Sequence, residues 1–159
     1  MSERLLPVLA FAASIGSGLM AGVFFAFSSF VMAALGRISP KSGTAAMQSI
    51  NVTVLNPGFL TVFMGTGAIC LALAIGSYFW WEQAGTKFAL AASLVYLVGC
   101  FGVTMACNVP LNDALAAVTP GTPEAASLWA RYLKDWTTWN HVRTAAPLVS
   151  AILFTVALL

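Results

Sequence analysis

NPGFLTVFMGTGAICLALAIGSYFWW, running from Asn56 to Trp81, contains no charged side chain. The hydrocarbon core of a bilayer is roughly 30 Å thick and takes about 20 apolar residues in a helix to cross, so this stretch is long enough to span it. Asparagine is a favoured helix cap and proline suits the first helical position, so Asn56-Pro57 reads as the start of the span. Trp80 and Trp81, at its far end, suit an interfacial aromatic belt. The next charged residues, in Glu82-Gln-Ala-Gly-Thr-Lys87, mark a short turn.

Working outward, three more apolar segments are long enough to cross or nearly so. The first lies within Leu5–Leu35, which exceeds what one crossing needs. It is too long for a signal-peptide core, and Met1-Ser-Glu-Arg4 is a poor positively charged leader, so it reads as a retained span. The third runs from Phe88 to about Cys107, where Asn108-Val-Pro-Leu-Asn112 is expected to break it. The fourth ends at Leu159. Its uncharged part, Thr144–Leu159, is short, and counting back about 20 residues starts the crossing near Trp139. Asn140, His141 and Arg143 then sit at the hydrocarbon boundary.

The expected fold is therefore all-α: one domain over residues 1–159, an integral membrane four-helix bundle with short amphipathic loop helices on one face. Composition agrees, since 60% of the 159 residues are hydrophobic and 8% charged, against about a quarter charged in a soluble domain. The net charge of +2 comes from scattered residues, which excludes a nucleic-acid-binding surface. Cys70, Cys100 and Cys107 form no CxxC pair and read as small apolar residues. Gly18-Leu-Met-Ala-Gly22 has the GxxxG spacing that lets helices approach closely, so a homo-oligomer is compatible with the chain, but the spacing assigns no dimer face.

Spans alternate in direction, so the connections Gly36–Leu55 and Val109–Thr138 fall on one side, the loop side. Both termini and the Glu82–Lys87 turn fall on the other. Arg37, Lys41, Arg131, Lys134 and Arg143 on the loop side, against Arg4 and Lys87 opposite, place the loop side in the cytoplasm by the positive-inside rule. Thr44–Thr53 and Pro123–Asp135 are the expected cap elements, the latter an amphipathic helix with Thr122 as its cap.

The polar residues that could carry chemistry converge on the loop side: Asn51, Asn56, Asn108, Asn112, Trp136, Trp139, Asn140, His141 and Arg143. His141 is the only histidine, and no Asp or Glu lies within an expected span. Too few ligands remain for a haem or carboxylate-bridged metal centre, so no metal and no cofactor is expected. Histidine is suited to general base work near neutral pH, although one at an interface can equally bond to a carbonyl. Arg143 could stabilise an oxyanion or enolate, or snorkel to headgroups. Asn108 and Asn112 flank Pro110, where asparagine amides ordinarily satisfy freed backbone groups. At about 100° per residue His141 and Arg143 point apart, whereas Trp136, Asn140 and Arg143 share one helix face. Few polar groups in an apolar chamber is how small-molecule sites look, so the expected partner is a hydrophobic small molecule or lipid.

Phe27-Ser-Ser-Phe-Val-Met32, Met47-Gln-Ser-Ile-Asn51, Leu55-Asn-Pro57, Asn108-Val-Pro-Leu-Asn112 and Trp136-Thr-Thr-Trp-Asn-His-Val-Arg143 resemble the anthrone oxygenase-like integral membrane family over nearly the whole chain. The resemblance implies a cofactor-independent oxygenase of the bacterial inner membrane. It would take an enolisable aromatic substrate, anthrone- or quinol-like, from the bilayer, with molecular oxygen as co-substrate. An anthrone's methylene is acidic because its anion is aromatic and phenolate-like. On that reading His141 takes the proton, Arg143, Asn140 or Asn108 steadies the oxyanion, and Trp136 or Trp139 stacks on the rings, with Asn112 beside them. The rival is a non-enzymatic membrane protein that binds a lipid or quinone or supports a partner complex.

Overall fold

In the computed structural model, described from Ser2 to Leu159 with side chains from Leu5 onward, all regular structure is helical. The side chain of Arg4, counted above with the turn side, lies outside that description. Helix α1 (Ser2–Ala26) passes through a π-helical turn, Phe27–Val31, directly into α2 (Met32–Leu35). Helix α3 (Pro40–Thr53) follows, capped by the Ser39 hydroxyl, which accepts from the Ser42 amide. Helix α4 (Pro57–Gly76) begins as its sequence indicates: the Asn56 side chain accepts from the Phe59 amide at 3.1 Å and Pro57 occupies the first turn. It stops at Gly76, short of the expected Trp81, because Ser77–Trp80 turns under the helix end, with the Trp80 ring packed against Gly76.

The third long helix corrects the expectation more substantially. α5 (Thr86–Val95) continues through π-helical segments at Tyr96–Gly102 and Thr104–Asn108 into α6 (Val109–Ala116). Pro110 falls in the first turn of α6, where its missing N–H is tolerated next to a change of helical pitch. The helix is therefore not broken at Asn108. Likewise Pro123–Asp135 is not a separate cap helix but the first part of one 35-residue helix, α7 (Pro123–Ala157), with the expected cap: the Thr122 hydroxyl accepts from the Ala125 amide at 3.2 Å.

Among the described residues three helical runs are long and apolar enough to cross a membrane: Leu5–Leu35, Pro57–Gly76 and Thr86–Ala116. Their outer faces carry exposed Val8, Phe11, Ile15, Leu71, Ile75 and Val98. Apolar surface on that scale is unstable in water and natural in lipid, and the chain is an integral membrane protein. α1 packs against α7 and α4, and α5 against α4 and α7, so the long helices close on one another around a shared core.

That core has two parts. At one end Leu6, Ala10, Ala13, Cys70, Leu73, Ala92 and Phe154 pack tightly. There Gly85, at φ +81°, approaches the Ala157 carbonyl too closely for any Cβ, which joins the turn after α4 to the end of α7. At the other end Met32, Met47, Leu115, Trp129, Tyr132 and Trp136 bring α3, α6 and the first half of α7 together. Gln48 fastens this cap by donating to the carbonyls of Leu115 and Val118, at 2.8 and 2.9 Å, at the end of α6.

Candidate functional site

Between the two cores lies a largely apolar cavity of about 460 Å³, walled by α1, α3, α4, the third helix around Thr104–Ala116, and α7. Its buried charged residue is Arg143. An arginine at a span end ordinarily snorkels to water, but this one is 5% exposed. Its guanidinium lies between two rings, 4.5 Å from the centre of Phe24 and 4.8 Å from that of Trp136. Cation–π contact of this kind offsets part of the desolvation of a buried charge. Nη2 donates to Asn140 Oδ1 at 2.9 Å and Nη1 to Thr104 Oγ1 at 3.4 Å. Both acceptors are neutral. Nε is buried without a partner, so among the described residues three of the five guanidinium N–H groups find no protein acceptor.

Asn140 fixes that arrangement. Fully buried, it donates from Nδ2 to the Phe24 carbonyl and to Ser28 Oγ, both at 2.8 Å, which ties α7 to α1 where α1 turns π-helical. With its amide nitrogen committed, its oxygen is left for Arg143. Trp136, Asn140 and Arg143 do share one buried face.

The two asparagines of the third helix have different roles. Asn108 donates to the Trp136 carbonyl at 3.1 Å, and its own Oδ1 is buried and unpaired. Asn112 lines the cavity, and its Oδ1 accepts from Trp136 Nε1 at 2.9 Å and Tyr132 Oη at 2.7 Å. Burial pushes the Tyr132 phenol well above its ordinary value, so it stays a neutral donor to that oxygen. Trp129, Tyr132 and Trp136 stack in series, with centroids 5.7 and 6.0 Å apart, and hold the Trp136 ring against Phe27 and the cavity wall.

His141 and Trp139 stand apart from this constellation. Both are exposed on the outer surface of α7, and neither lines the cavity. The sequence divergence of His141 from Arg143 is thus realised as outward against inward.

Several lining residues escaped sequence reasoning. Asp113 lines the cavity and belongs to a helix long and apolar enough to span, contrary to the expectation that no carboxylate lies in a span. It was hidden by taking Pro110 as the end of the third span; the register Met105, Val109, Asp113, at i, i+4 and i+8, continues one face past the proline. Thr104 and Gln48 also line the chamber, and as single polar residues in apolar or loop segments they carry no signal of their own; Asn51, expected among the loop-side polar residues, lines it as well.

Fold and site together define a class: an all-helical membrane protein whose helices surround an apolar chamber that holds a buried cation, Arg143, with no ion-pair contact among the described residues. Residues 59–153 match the family model for anthrone oxygenase, and the chain belongs to that family. No curated protein and no solved structure shows significant similarity to it.

Proposed function

We propose that the protein is a cofactor-independent membrane oxygenase that oxidises a hydrophobic, enolisable aromatic substrate of the anthrone or quinol type with molecular oxygen. The observation that carries this reading is Arg143. A buried charge with no counter-charge in contact is costly, by several kcal/mol even after relaxation. A ligand that brings an oxyanion removes that penalty and gains charge-assisted hydrogen bonds. The anion of an anthrone-type substrate is such a ligand only after its methylene loses a proton, so the cation stabilises the reactive state more than the resting one. The electron-rich carbanion then reacts with oxygen directly, one oxygen atom ending in the new carbonyl and the other in water.

The rest of the chamber suits that substrate. A volume of about 460 Å³ lies in the range of small-molecule sites, and Phe27, Phe63 and Trp136 present aromatic surfaces to flat rings. Val52, Leu55, Met64 and Met105 line the cavity and are also exposed, at 75, 63, 51 and 54%. They open it toward the bilayer, where a hydrophobic substrate and oxygen both concentrate.

In this account α7 is the fourth span, from about Trp139 onward, which is supported by the exposed Leu148, Val149 and Ile152 on its second half. α3 and the first part of α7 form the cap on the loop side, which faces the cytoplasm of a bacterial inner membrane.

An oxygen electrode with purified protein and an anthrone tests the function. Catalysed oxygen uptake with formation of the anthraquinone is expected. Binding of the anthrone without oxygen uptake would favour the rival, a chamber that holds a lipid or quinone and performs no chemistry.

A further inference from the structure

We propose that Asp113 is the general base of this site, the group that takes the substrate's proton while Arg143 receives the resulting negative charge. The inference rests on the oxygenase reading of the cavity for its substrate. Its own ground is geometric. Carbanion formation needs a base inside the chamber, and His141 is outside it. Of the described residues that line the cavity, Asp113 alone carries an acid or imidazole group; the other polar ones are amides, a hydroxyl, an indole and the guanidinium.

The spacing also fits. Arg143 bonds to Thr104, and Asp113 lies nine residues further along the same helical run, at most about 13 Å along its axis at 1.5 Å per residue. In an anthrone the carbonyl oxygen and the acidic carbon face each other across one six-membered ring. With a hydrogen bond at one end and proton-transfer contact at the other, that unit needs a cation and a base roughly 10 Å apart. Trp136 lies between the two poles, its ring against Arg143 and its Nε1 on Asn112, the neighbour of Asp113. Substrate rings laid along this wall point the oxygen at Arg143 and the methylene toward Asp113.

The steps balance. The Asp113 carboxylate takes one methylene proton, and the C–H electron pair moves into the ring system to give an enolate oxygen on Arg143. The enolate carbon and oxygen form a carbon-bound peroxide, which takes the proton back from Asp113. Asp113 then removes the second C–H proton as the O–O bond breaks, leaving a carbonyl and hydroxide, which leaves as water with that proton. Overall CH2 and O2 become C=O and H2O, with oxygen the only oxidant. Asp113 is exposed at the cavity rim, so the water produced has a way out.

The test reads proton transfer without oxygen. Under anaerobic conditions in D2O, exchange of the anthrone's methylene protons is followed by NMR for wild type, Asp113→Asn and Asp113→Glu. Anthraquinone binding, by quenching of tryptophan emission, verifies that each variant has an intact chamber. Wild-type catalysis of exchange, with about a 100-fold or greater loss in Asp113→Asn and partial retention in Asp113→Glu, is the expected result. Undiminished exchange in Asp113→Asn would overturn the assignment, as would a wild-type protein that consumes oxygen with anthrone but catalyses no exchange. Wild-type exchange without oxygen uptake would instead sink the oxygenase reading and leave the base identified.

Discussion

Around Gly85 and Ala157 the helices meet through small residues and no fully buried side-chain nitrogen or oxygen described there lacks a partner, whereas around Arg143 several do. At the first end Ser17 pairs with Ser150, Ser150 also donates to the Ala92 carbonyl, and Ser77, Thr86 and Ser93 donate to nearby carbonyls at 2.7 Å. The described buried side-chain atoms without partners all belong to the other half: Thr44 Oγ1, Asn108 Oδ1, Thr137 Oγ1 and Arg143 Nε. All three π-helical segments also lie toward that half or lead into it, and Phe27, Thr104 and Met105 within them line the cavity. A chain able to satisfy one end so fully has no packing reason to leave the other unfinished. Of these four residues Arg143 lines the chamber, and an unpaired guanidinium N–H beside π-turns at a cavity wall is what a binding site requires.

The two ends of the molecule should respond in opposite ways to substitution. Arg143→Met removes the cation but keeps the bulk between Phe24 and Trp136. Turnover should fall by roughly 100-fold or more, as for loss of an oxyanion donor, with the melting temperature unchanged or raised, because a buried charge without a contacting counter-charge has gone. Equal loss of stability and activity would make Arg143 a structural residue. At the packed end the pattern should invert. A Cβ on Gly16 would overlap Thr66 Oγ1 where α1 crosses α4, so Gly16→Val should lower stability by about 1–3 kcal/mol. The rate per folded molecule should barely change, as measured by denaturation alongside oxygen uptake.

Asn140 belongs to both regimes, since it bonds α1 to α7 and orients Arg143. Asn140→Ala should cost about 1–3 kcal/mol of stability and lower turnover less than Arg143→Met does. The smallest effect is expected at His141. Exposed on the outer face, it should tolerate His141→Ala within about 0.5 kcal/mol and with turnover near that of wild type. Abolished turnover in a folded His141→Ala protein would return the catalytic base to that residue and contradict the inward-facing site.

Sequence alone carried three of the four expected apolar spans, the Asn56-Pro57 and Thr122-Pro123 helix starts, and the shared face of Trp136, Asn140 and Arg143. Those follow from length, local capping and helical period, which act within one segment. Misread features depended on longer-range packing. Pro110 looked like a terminator because its cost in a regular helix is about 3 kcal/mol, yet the π-helical segment before it absorbs the mismatch. That one misreading hid Asp113. Arg143 looked able to snorkel because its neighbours in sequence are polar; the Phe24 ring that covers it comes from a helix more than a hundred residues away.

If Arg143 is held without an ion-pair contact so that it can receive a ligand oxyanion, its unpartnered Nε–H reports the encounter. With the signal assigned by its loss in Arg143→Lys, a hydroxyanthraquinone is titrated into 15N-labelled protein. A marked downfield shift of the Arg143 Nε–H, saturating together with quenching of tryptophan emission, is the predicted result. Saturable quenching with the Arg143 signal unmoved would contradict it, because the ligand would then occupy the chamber without engaging its cation.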